Sequence, residues 1–191
     1  MPTPAELACD IPLLASCPEE REAADEIERE VMTLFDQYRD PLLRYAVSFG
    51  VPVPDAEEIV QEVFLSLFRH LQLGRSRENL RGWIFRVAHN LTLKRRCANQ
   101  RMLSASEEQA ELAAERADPG PTPEDACSEA QRQRRLLAVV SALPDLDQSC
   151  LRMRAEGLRY REIADALGIS LGSVSMSIAR SLGKLLRADR G

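Results

Sequence analysis

Residues 160–179 read YREIADALGISLGSVSMSIA and divide into two short amphipathic segments around a glycine. Gly168 can adopt the positive φ that a tight turn between two helices requires. Ala164 is small where a second helix would cross the first closely, and Ser170 is a favourable N-cap for that helix. The side chains expected to fill the core between the helices are Ile163, Leu167, Ile169, Val174 and Ile178. The stretch therefore predicts a helix-turn-helix; the simpler alternative is an ordinary helical hairpin.

The second helix of this motif is the element expected to contact DNA, because a helix-turn-helix presents the first turns of that helix to the major groove. The residues that could contact duplex DNA in and around it are Arg161, Ser170, Ser173, Ser175, Met176, Ser177, Arg180 and Lys184. A serine hydroxyl can donate or accept a hydrogen bond and therefore discriminates only weakly between bases. Methionine offers only apolar contact to a thymine methyl group. We therefore expect modest affinity for duplex DNA from this region alone.

The charge of the chain is arranged in blocks that its net value of −5 conceals. Residues 75–101 hold eight basic residues and one acid, and residues 131–191 hold eleven basic residues and six acids. By contrast, residues 1–30 and 104–129 each carry a net charge of −7. Affinity for phosphates depends on local charge rather than on the overall isoelectric point. Two basic blocks separated by acidic ones therefore favour binding to nucleic acid.

Helical periodicity also covers residues 31–49, 55–71, 79–102 and 131–143, and strand-type alternation is scarce. Prolines and acids dominate the N-terminus and the stretch before residue 130, which favours mobile segments there, although the first part of the second stretch could be a solvated helix. We therefore predict an all-α fold with two small helical domains joined by a flexible acidic linker. The predicted divisions are an acidic mobile N-terminal tail (1–28), a first helical domain (29–103), the linker (104–130) and a helix-turn-helix domain (131–191).

The helix that begins near Asn79 combines cations with aromatic residues. Its more polar side carries Arg81, Arg86, His89, Asn90, Lys94 and Arg95, with Trp83 among them. Such a surface suits a nucleic-acid strand with unstacked bases, because an aromatic ring can stack on an exposed base. For Trp83 alone, burial in the core is the better interpretation. The density of cations in the cluster as a whole favours binding to nucleic acid.

The preceding helix, which begins at Asp55, carries several acids in its first turns. Asp55 and Glu58 are spaced as an N-cap and an N3 carboxylate, which indicates a helix start of the capping-box kind. One interpretation is that these acids only stabilise the helix N-terminus. The other is an exposed ridge of acids and amides that contacts a basic protein partner. The sequence leaves both interpretations open.

Several classes of function are disfavoured by what the sequence lacks. The two histidines are not paired with an acid or thiol motif, and the five cysteines have no metal-ligand spacing, so we expect no metal site and reduced thiols. There is no phosphate-binding loop and no nucleophile motif, so we expect no catalytic residue and no cofactor. No apolar run is long enough to span a bilayer, and no secretory signal is evident, so the expected location is the cytoplasm.

Two motifs resemble the sigma factor family of RNA polymerase. The stretch DAEEIVQEVFLSLFR (55–69) is similar to the polymerase-binding helix of sigma domain 2, and NLRGWIFRVAHNL (79–91) is similar to the melting and minus-ten-reading segment that follows it. The Leu-Pro pair at 143–144, Gly157, Tyr160 and the helix-turn-helix resemble sigma domain 4, which reads the minus-thirty-five element. The short acidic linker resembles the extracytoplasmic-function group.

This resemblance implies roles for particular residues. Those implied to contact polymerase are Asp55, Glu58, Gln61, Glu62 and Phe64. Those implied to engage the melted strand are Arg75, Arg77, Asn79, Arg81, Trp83, Arg86, His89, Asn90, Lys94 and Arg95, with 75–79 as a candidate pocket for an extruded base. The implied partners are core RNA polymerase, promoter DNA and an anti-sigma factor, and the free chain is expected to be a monomer.

Two alternatives remain open at this stage. The first is a helix-turn-helix regulator that acts without polymerase. The second is a degenerate interaction protein that titrates polymerase or an anti-sigma factor; it is favoured by Ser175 and Ser177, which stand where the family tends to carry Lys or Arg. A separate hypothesis is that the acidic segments 1–30 and 104–129 fold back on the basic faces and suppress non-specific DNA binding.

Overall fold

The computed structural model describes residues 18–107 and 124–190, and within these ranges it contains seven helices and no strand. The all-α prediction is therefore confirmed. The helices are α1 (Pro18–Ser48), α2 (Val53–Gln72), α3 (Leu80–Glu107), α4 (Glu124–Ser141), α5 (Asp145–Ala155), α6 (Tyr160–Leu167) and α7 (Leu171–Arg190). Among the described residues, no single helix is long and apolar enough to cross a membrane.

Four helix boundaries differ from the sequence prediction. Helix α2 begins at Val53 after Pro52, which forms no side-chain cap, so the predicted start at Asp55 as an N-cap is wrong. Helix α1 begins at Pro18, so residues 18–28, which we assigned to a mobile tail, are helical. Acids are abundant in this segment, and negative charge stabilises the N-terminus of a helix. Helices α3 and α4 extend into the two ends of the predicted linker, to Glu107 and from Glu124. The rest of that linker (108–123) and most of the predicted tail (1–17) lie outside the described residues.

Helices α1, α2 and α3 pack together, and we call them the N-terminal unit. Its core is made of the apolar residues that the helical periodicity singles out, with edge-on aromatic contacts such as Phe35 against Phe64 at 5.0 Å. The largest fully buried side chains of this core include Leu42, Tyr45, Val63, Leu67, Ile84 and Phe85. Because α2 packs between α1 and α3 on one face only, its other face is left for solvent.

Helices α4 to α7 form the C-terminal unit, in which α6 and α7 are the predicted helix-turn-helix. Gly168 has φ 67° at the end of α6, and the chain turns by 108° between the two helices. The hydroxyl of Ser170 accepts a hydrogen bond from the amide of Ser173 at 3.1 Å, which is the predicted N-cap. Ile163, Val174 and other core residues are fully buried. These local features are the geometry that a helix-turn-helix requires.

The two units contact each other, mainly through α3 against α6 and also through α1 against α5. The sequence made no prediction about this contact. It lies on the side of α3 that carries several of the cations discussed above, and it therefore bears directly on the candidate site.

Candidate nucleic-acid interface

The start of α3 is organised by Asn79, whose backbone has φ 51°. Its Oδ1 accepts a hydrogen bond from the amide of Gly82 at 3.1 Å, so Asn79 caps the helix as predicted. A Cβ at Gly82 would come within 2.5 Å of the Asn79 side chain. Gly82 is thus required for the cap to lie over the first turn, a role that sequence reasoning missed. This cap sets the position at which the loop before α3 ends.

The loop before α3 is held by His70 and Trp83. Their rings lie 4.6 Å apart, and the Nε2 of His70 hydrogen bonds to the carbonyl of Ser76 at 2.9 Å. Trp83 is half-buried, and the loop residues Arg75 and Arg77 are exposed. The loop is therefore anchored beside the indole ring of Trp83 and exposes cationic side chains to solvent. An aromatic ring next to cations is the combination that binds an unpaired base.

Several residues of the predicted strand-binding set are exposed on α3 and its preceding loop. Arg75, Asn90 and Lys94 are exposed to solvent. Arg77 is also exposed, but its Nε lies 3.0 Å from a carboxylate oxygen of Glu30 on α1. An exposed pair of this kind is worth little and is screened by salt. All four side chains are therefore accessible to phosphates.

His89 faces the interior of the N-terminal unit, contrary to the prediction that it contacts a strand. Its Nδ1 shares a hydrogen bond with the hydroxyl of Tyr45 at 2.9 Å, and its ring packs near Phe49. Burial lowers the pKa of His89, so the ring is neutral at neutral pH. A neutral inward-facing imidazole does not add to the cationic surface. The same burial raises the pKa of the Tyr45 hydroxyl far above its usual range.

Arg95 connects α3 to the N-terminus of α2. Its guanidinium lies 2.6 Å from a carboxylate oxygen of Glu58 and 3.4 Å from one of Asp55. Asn99 donates a second hydrogen bond to Asp55 at 2.9 Å. Asp55 and Arg95 were predicted to contact different partners, polymerase and DNA, but here they contact each other. They stabilise the packing of α2 on α3, and of this group only Glu58 is well exposed.

The solvent-facing side of α2 carries Glu58, Gln61, Glu62 and Leu65, and we call these residues the α2 ridge. All four are exposed, and Leu65 is an apolar side chain with 59% of its surface accessible. Phe64, which was predicted to contact polymerase, is 6% exposed and packs on Phe35, so that assignment is corrected. Leu65 was missed, although helical spacing from Gln61 and Glu62 places it on the same face.

Three of the remaining predicted strand-binding residues hydrogen bond to the C-terminal unit, although Asn79 and Arg86 stay exposed and Arg81 is partly buried. Arg81 donates to the backbone carbonyl of Glu156 at 2.9 Å and lies 3.7 Å from the carboxylate of Glu162. Asn79 donates to the carboxylate of Asp165 at 2.7 Å, and Arg86 donates to the backbone carbonyl of the same residue. The three side chains are thus engaged by α6 and by the turn before it, which sequence reasoning did not foresee.

On α7, the structure separates the predicted base-contacting residues into two groups. Ser173, Ser175 and Met176 are exposed on the first two turns. Ser177 is fully buried and donates to the Oδ1 of Asp147 at 2.7 Å, so it cannot reach DNA. Arg161 on α6 is exposed as well, whereas Ser170 is exposed but serves as the cap, and Lys184 is partly buried.

Arg180 is held by a buried carboxylate that the sequence analysis did not single out. Its Nε and Nη2 each donate to Asp147 at 2.8 Å, a bidentate pair. Hydrogen bonds from Arg180, and further from Ser177, hold the pKa of Asp147 below its usual range. About half of the Arg180 side chain stays exposed. Arg180 therefore faces the surface in a fixed position, with part of its charge compensated.

In the ranges 18–107 and 124–190, no three His, Cys, Asp or Glu side chains are arranged to hold a metal ion. Cys97 is an exposed thiol, and Cys150 is a buried one whose pKa is raised by burial. A cationic helix on one unit and a helix-turn-helix on the other define a two-unit helical protein of the nucleic-acid-binding class.

Comparison with known families identifies this class further. Residues 34–102 match the sigma-70 region 2 family, and residues 133–185 match the sigma-70 region 4 family. The two matched segments coincide with the N-terminal and C-terminal units. The chain belongs to the sigma-70 family of RNA polymerase sigma factors and to its extracytoplasmic-function group.

Several relatives support this assignment. The chain is 31% identical to the ECF sigma factor SigE of Mycolicibacterium smegmatis over 80% of its own length and 58% of SigE. It is 30% identical to RfaY of Xanthomonas campestris over 71% of its length, but only 34% of RfaY. It is 29% identical to NccH of Alcaligenes xylosoxydans over 80% of its length and 82% of NccH. The chain thus spans less than two thirds of the length of the first two relatives.

Two solved structures share the fold. One is CnrH in complex with the cytosolic domain of CnrY, with a TM-score of 0.58 and 22% identity over 87% of this chain and 92% of that chain. The other is RpoE in complex with the anti-sigma factor NepR from Bartonella quintana, with a TM-score of 0.57 and 16% identity over 85% and 96%. At these identities the likeness establishes the architecture alone.

Proposed function

We propose that this chain is a promoter-specificity subunit of RNA polymerase with no catalytic chemistry of its own. In this proposal the α2 ridge docks on the polymerase, α3 and its preceding loop hold the melted non-template strand, and α7 contacts upstream duplex DNA. The observation that carries it is the N-terminal unit, which matches sigma-70 region 2 and exposes an acidic ridge and a cationic aromatic loop as separate surfaces. Separate surfaces are what simultaneous binding of a protein and a strand requires.

The partners follow from the same proposal. Core RNA polymerase and promoter DNA are the two that the exposed surfaces fit. An anti-sigma factor is a further proposed partner, because RpoE of Bartonella quintana was solved with the anti-sigma factor NepR. The chain would act in the cytoplasm, where polymerase is found, and as a monomer when it has no partner.

The test of polymerase binding uses the exposed α2 ridge. The triple variant Gln61→Ala, Glu62→Ala and Leu65→Ala should lose co-elution with core polymerase and run-off transcription from its promoters, while its circular dichroism stays unchanged. The matched control removes one exposed apolar, one acidic and one amide side chain from α1, as Met32→Ala, Asp36→Ala and Gln37→Ala. If the wild-type chain itself neither co-elutes with core polymerase nor directs a promoter-dependent transcript, the proposal is wrong.

One observation favours a second candidate, an interaction protein that titrates polymerase or an anti-sigma factor without reading DNA. Ser177 is buried and Arg180 is engaged by Asp147, so few side chains on α7 remain free to contact bases. This candidate predicts co-elution with polymerase but no promoter-dependent transcript. Run-off transcription with purified core enzyme therefore separates it from the first proposal.

A further inference from the structure

The loop before α3, residues 75–79, has a backbone that is fixed before any partner binds. The carbonyl of Ser76 hydrogen bonds with Nε2 of His70, and the hydroxyl of Ser76 accepts a hydrogen bond from the amide of Glu78 at 3.1 Å. Asn79 closes the loop as the cap of α3. The points from which the loop side chains extend are therefore set by the fold of the N-terminal unit.

Arg77 extends from this fixed loop to helix α1. Its Nε donates a hydrogen bond to a carboxylate oxygen of Glu30 at 3.0 Å. The Glu30 side chain is 29% exposed and that of Arg77 is 54% exposed, so the carboxylate is the better anchored of the two partners. Exposed ion pairs contribute little to stability. The consequence of this pair is therefore the orientation of Arg77 rather than the stability of the fold.

The contact with Glu30 leaves the outer end of the Arg77 guanidinium open. The hydrogen bond is made through Nε, and within residues 18–107 and 124–190 neither Nη1 nor Nη2 of Arg77 forms a hydrogen bond. A guanidinium is planar and rigid, so fixing Nε limits the directions in which the other two nitrogens can point. Arg77 thus presents a pair of parallel N–H donors away from α1.

A pair of parallel donors selects a particular kind of acceptor. The O6 and N7 atoms of guanine accept two such hydrogen bonds from one arginine, whereas adenine has an amino donor beside N7. Both guanine atoms are accessible on a base that has no pairing partner. A phosphate group accepts the same pair of bonds. Selectivity for a base therefore depends on where the arginine points, and in this chain Glu30 decides that direction.

The surroundings of the pair favour a base over the nucleic-acid backbone. A surface cleft of about 490 Å³ separates α1 from the loop and is lined by Glu26, Arg29, Glu30, Thr33 and Arg77. Its two carboxylates balance its two guanidinium groups. A site without net charge attracts phosphates less than unpaired exposed cations such as Lys94 do, but it still admits the uncharged edge of a base.

We propose that Glu30 is a positioning residue that directs Arg77 toward the O6 and N7 atoms of an unpaired guanine. The inference rests on the proposed strand-binding role of the loop before α3, and it gives α1 a part in base selectivity. Without Glu30, the guanidinium can turn to phosphates instead. Selectivity for guanine then falls, while the number of phosphate contacts rises.

The test compares three oligothymidylates that carry one central guanine, adenine or 7-deazaguanine, the last of which lacks N7. Each is fluorescently labelled and titrated with the full chain by anisotropy, without polymerase. The variants are Glu30→Ala, Arg77→Ala, the double variant of these two, and Arg77→Lys. The control Glu26→Ala removes the same charge from the same face of α1, one turn away and in the same cleft.

We expect the wild-type chain to bind the guanine oligonucleotide about fivefold more tightly than the other two, the lower end of what a bidentate contact supplies. Arg77→Lys should lose this preference, because an ammonium is a point charge without paired donors. Glu30→Ala should reduce the preference about twofold to fivefold and steepen the salt dependence by about 0.7, as one added phosphate contact would. Glu26→Ala should leave the preference unchanged.

A wild-type chain that binds guanine and 7-deazaguanine equally would refute the inference, and so would equal losses of preference in Glu30→Ala and Glu26→Ala. An effect of Glu30→Ala that persists when Arg77 is also alanine would refute it as well, because positioning acts through Arg77.

Run-off transcription with core polymerase separates this result from a failure of the proposed function. If the wild-type chain directs a promoter-dependent transcript but shows no preference for guanine, the function stands and the role of Glu30 is refuted. If the chain directs no transcript but shows a guanine preference that depends on Glu30, the proposed function fails and the positioning role is supported.

Discussion

Replacing Asp147 with alanine should destabilise the C-terminal unit, because this carboxylate is the polar link between α5 and α7. It accepts one hydrogen bond from Ser177 and two from Arg180, all between 2.7 and 2.8 Å. The Asp147 side chain is 1% exposed, whereas that of Arg180 is 53% exposed. The replacement therefore leaves the buried Ser177 without an acceptor, whereas Arg180 can turn to solvent.

The expected loss follows from what each partner can do afterwards. The hydroxyl of Ser177 stays buried without its acceptor, which costs about 1–3 kcal/mol. Arg180 can rehydrate its guanidinium at the surface, so the larger penalty of an uncompensated buried charge does not arise. We expect the free energy of unfolding of the C-terminal unit to fall by about 2–3 kcal/mol in total, which for a unit of this size lowers Tm by roughly 10 °C or more.

The assay is thermal unfolding followed by two probes. Circular dichroism reports helices of both units, and fluorescence of Trp83, the single tryptophan, reports the N-terminal unit. The matched control is Asp145→Ala, an exposed acid in the first turn of the same helix, which should cost less than about 1 kcal/mol. An Asp147→Ala chain that melts like the wild type by circular dichroism, or like the Asp145→Ala control, would refute the reasoning.

Three further outcomes are expected. Gly157→Ala should lower the free energy of unfolding by about 1 kcal/mol in urea denaturation, since φ is 83° there and the added Cβ would lie 3.3 Å from Arg81. Because burial lowers the pKa of His89, the unfolded chain binds more protons than the native one just below the ordinary value of 6.5. The free energy of unfolding should therefore fall as pH drops below 6.5, and His89→Gln should remove that part of the dependence. Lys94→Ala should reduce the slope of log affinity for a single strand against log salt by about 0.7, measured by fluorescence anisotropy.

The elements of this fold were predictable where local sequence decides them. The turn at Gly168, the cap at Ser170 and the cap at Asn79 each depend on residues within a few positions, and all three are found. The capping box predicted at Asp55 is not found, because α2 begins two residues earlier, at Val53. The sequence prediction missed the start of α1 because acids and prolines near the N-terminus favour mobility as well as a helix start. In the segment 18–28 the acids instead lie at the start of a helix, where they are favourable.

The assignments on α7 show where reasoning from residue type fails. Ser177 was assigned to DNA by analogy with its serine neighbours, but it lies three residues after the buried Val174 and one before Ile178, which places it on the inner face. Helical spacing alone could have excluded it. The role of Asp147 could not be read in this way, because its partners Ser177 and Arg180 are 30 and 33 positions away.

The sequence indicated that acidic groups would face the cationic surface. We expected the strongly acidic segments 1–30 and 104–129 to do so. Glu30 does pair with Arg77, and residues 1–17 and 108–123 of these segments lie outside the described residues. Glu156, Glu162 and Asp165, which lie in a block with a net positive charge, also contact side chains of α1 and α3. The net charge summed over a long segment hides such groups, because the cations and anions of a helical unit face different sides.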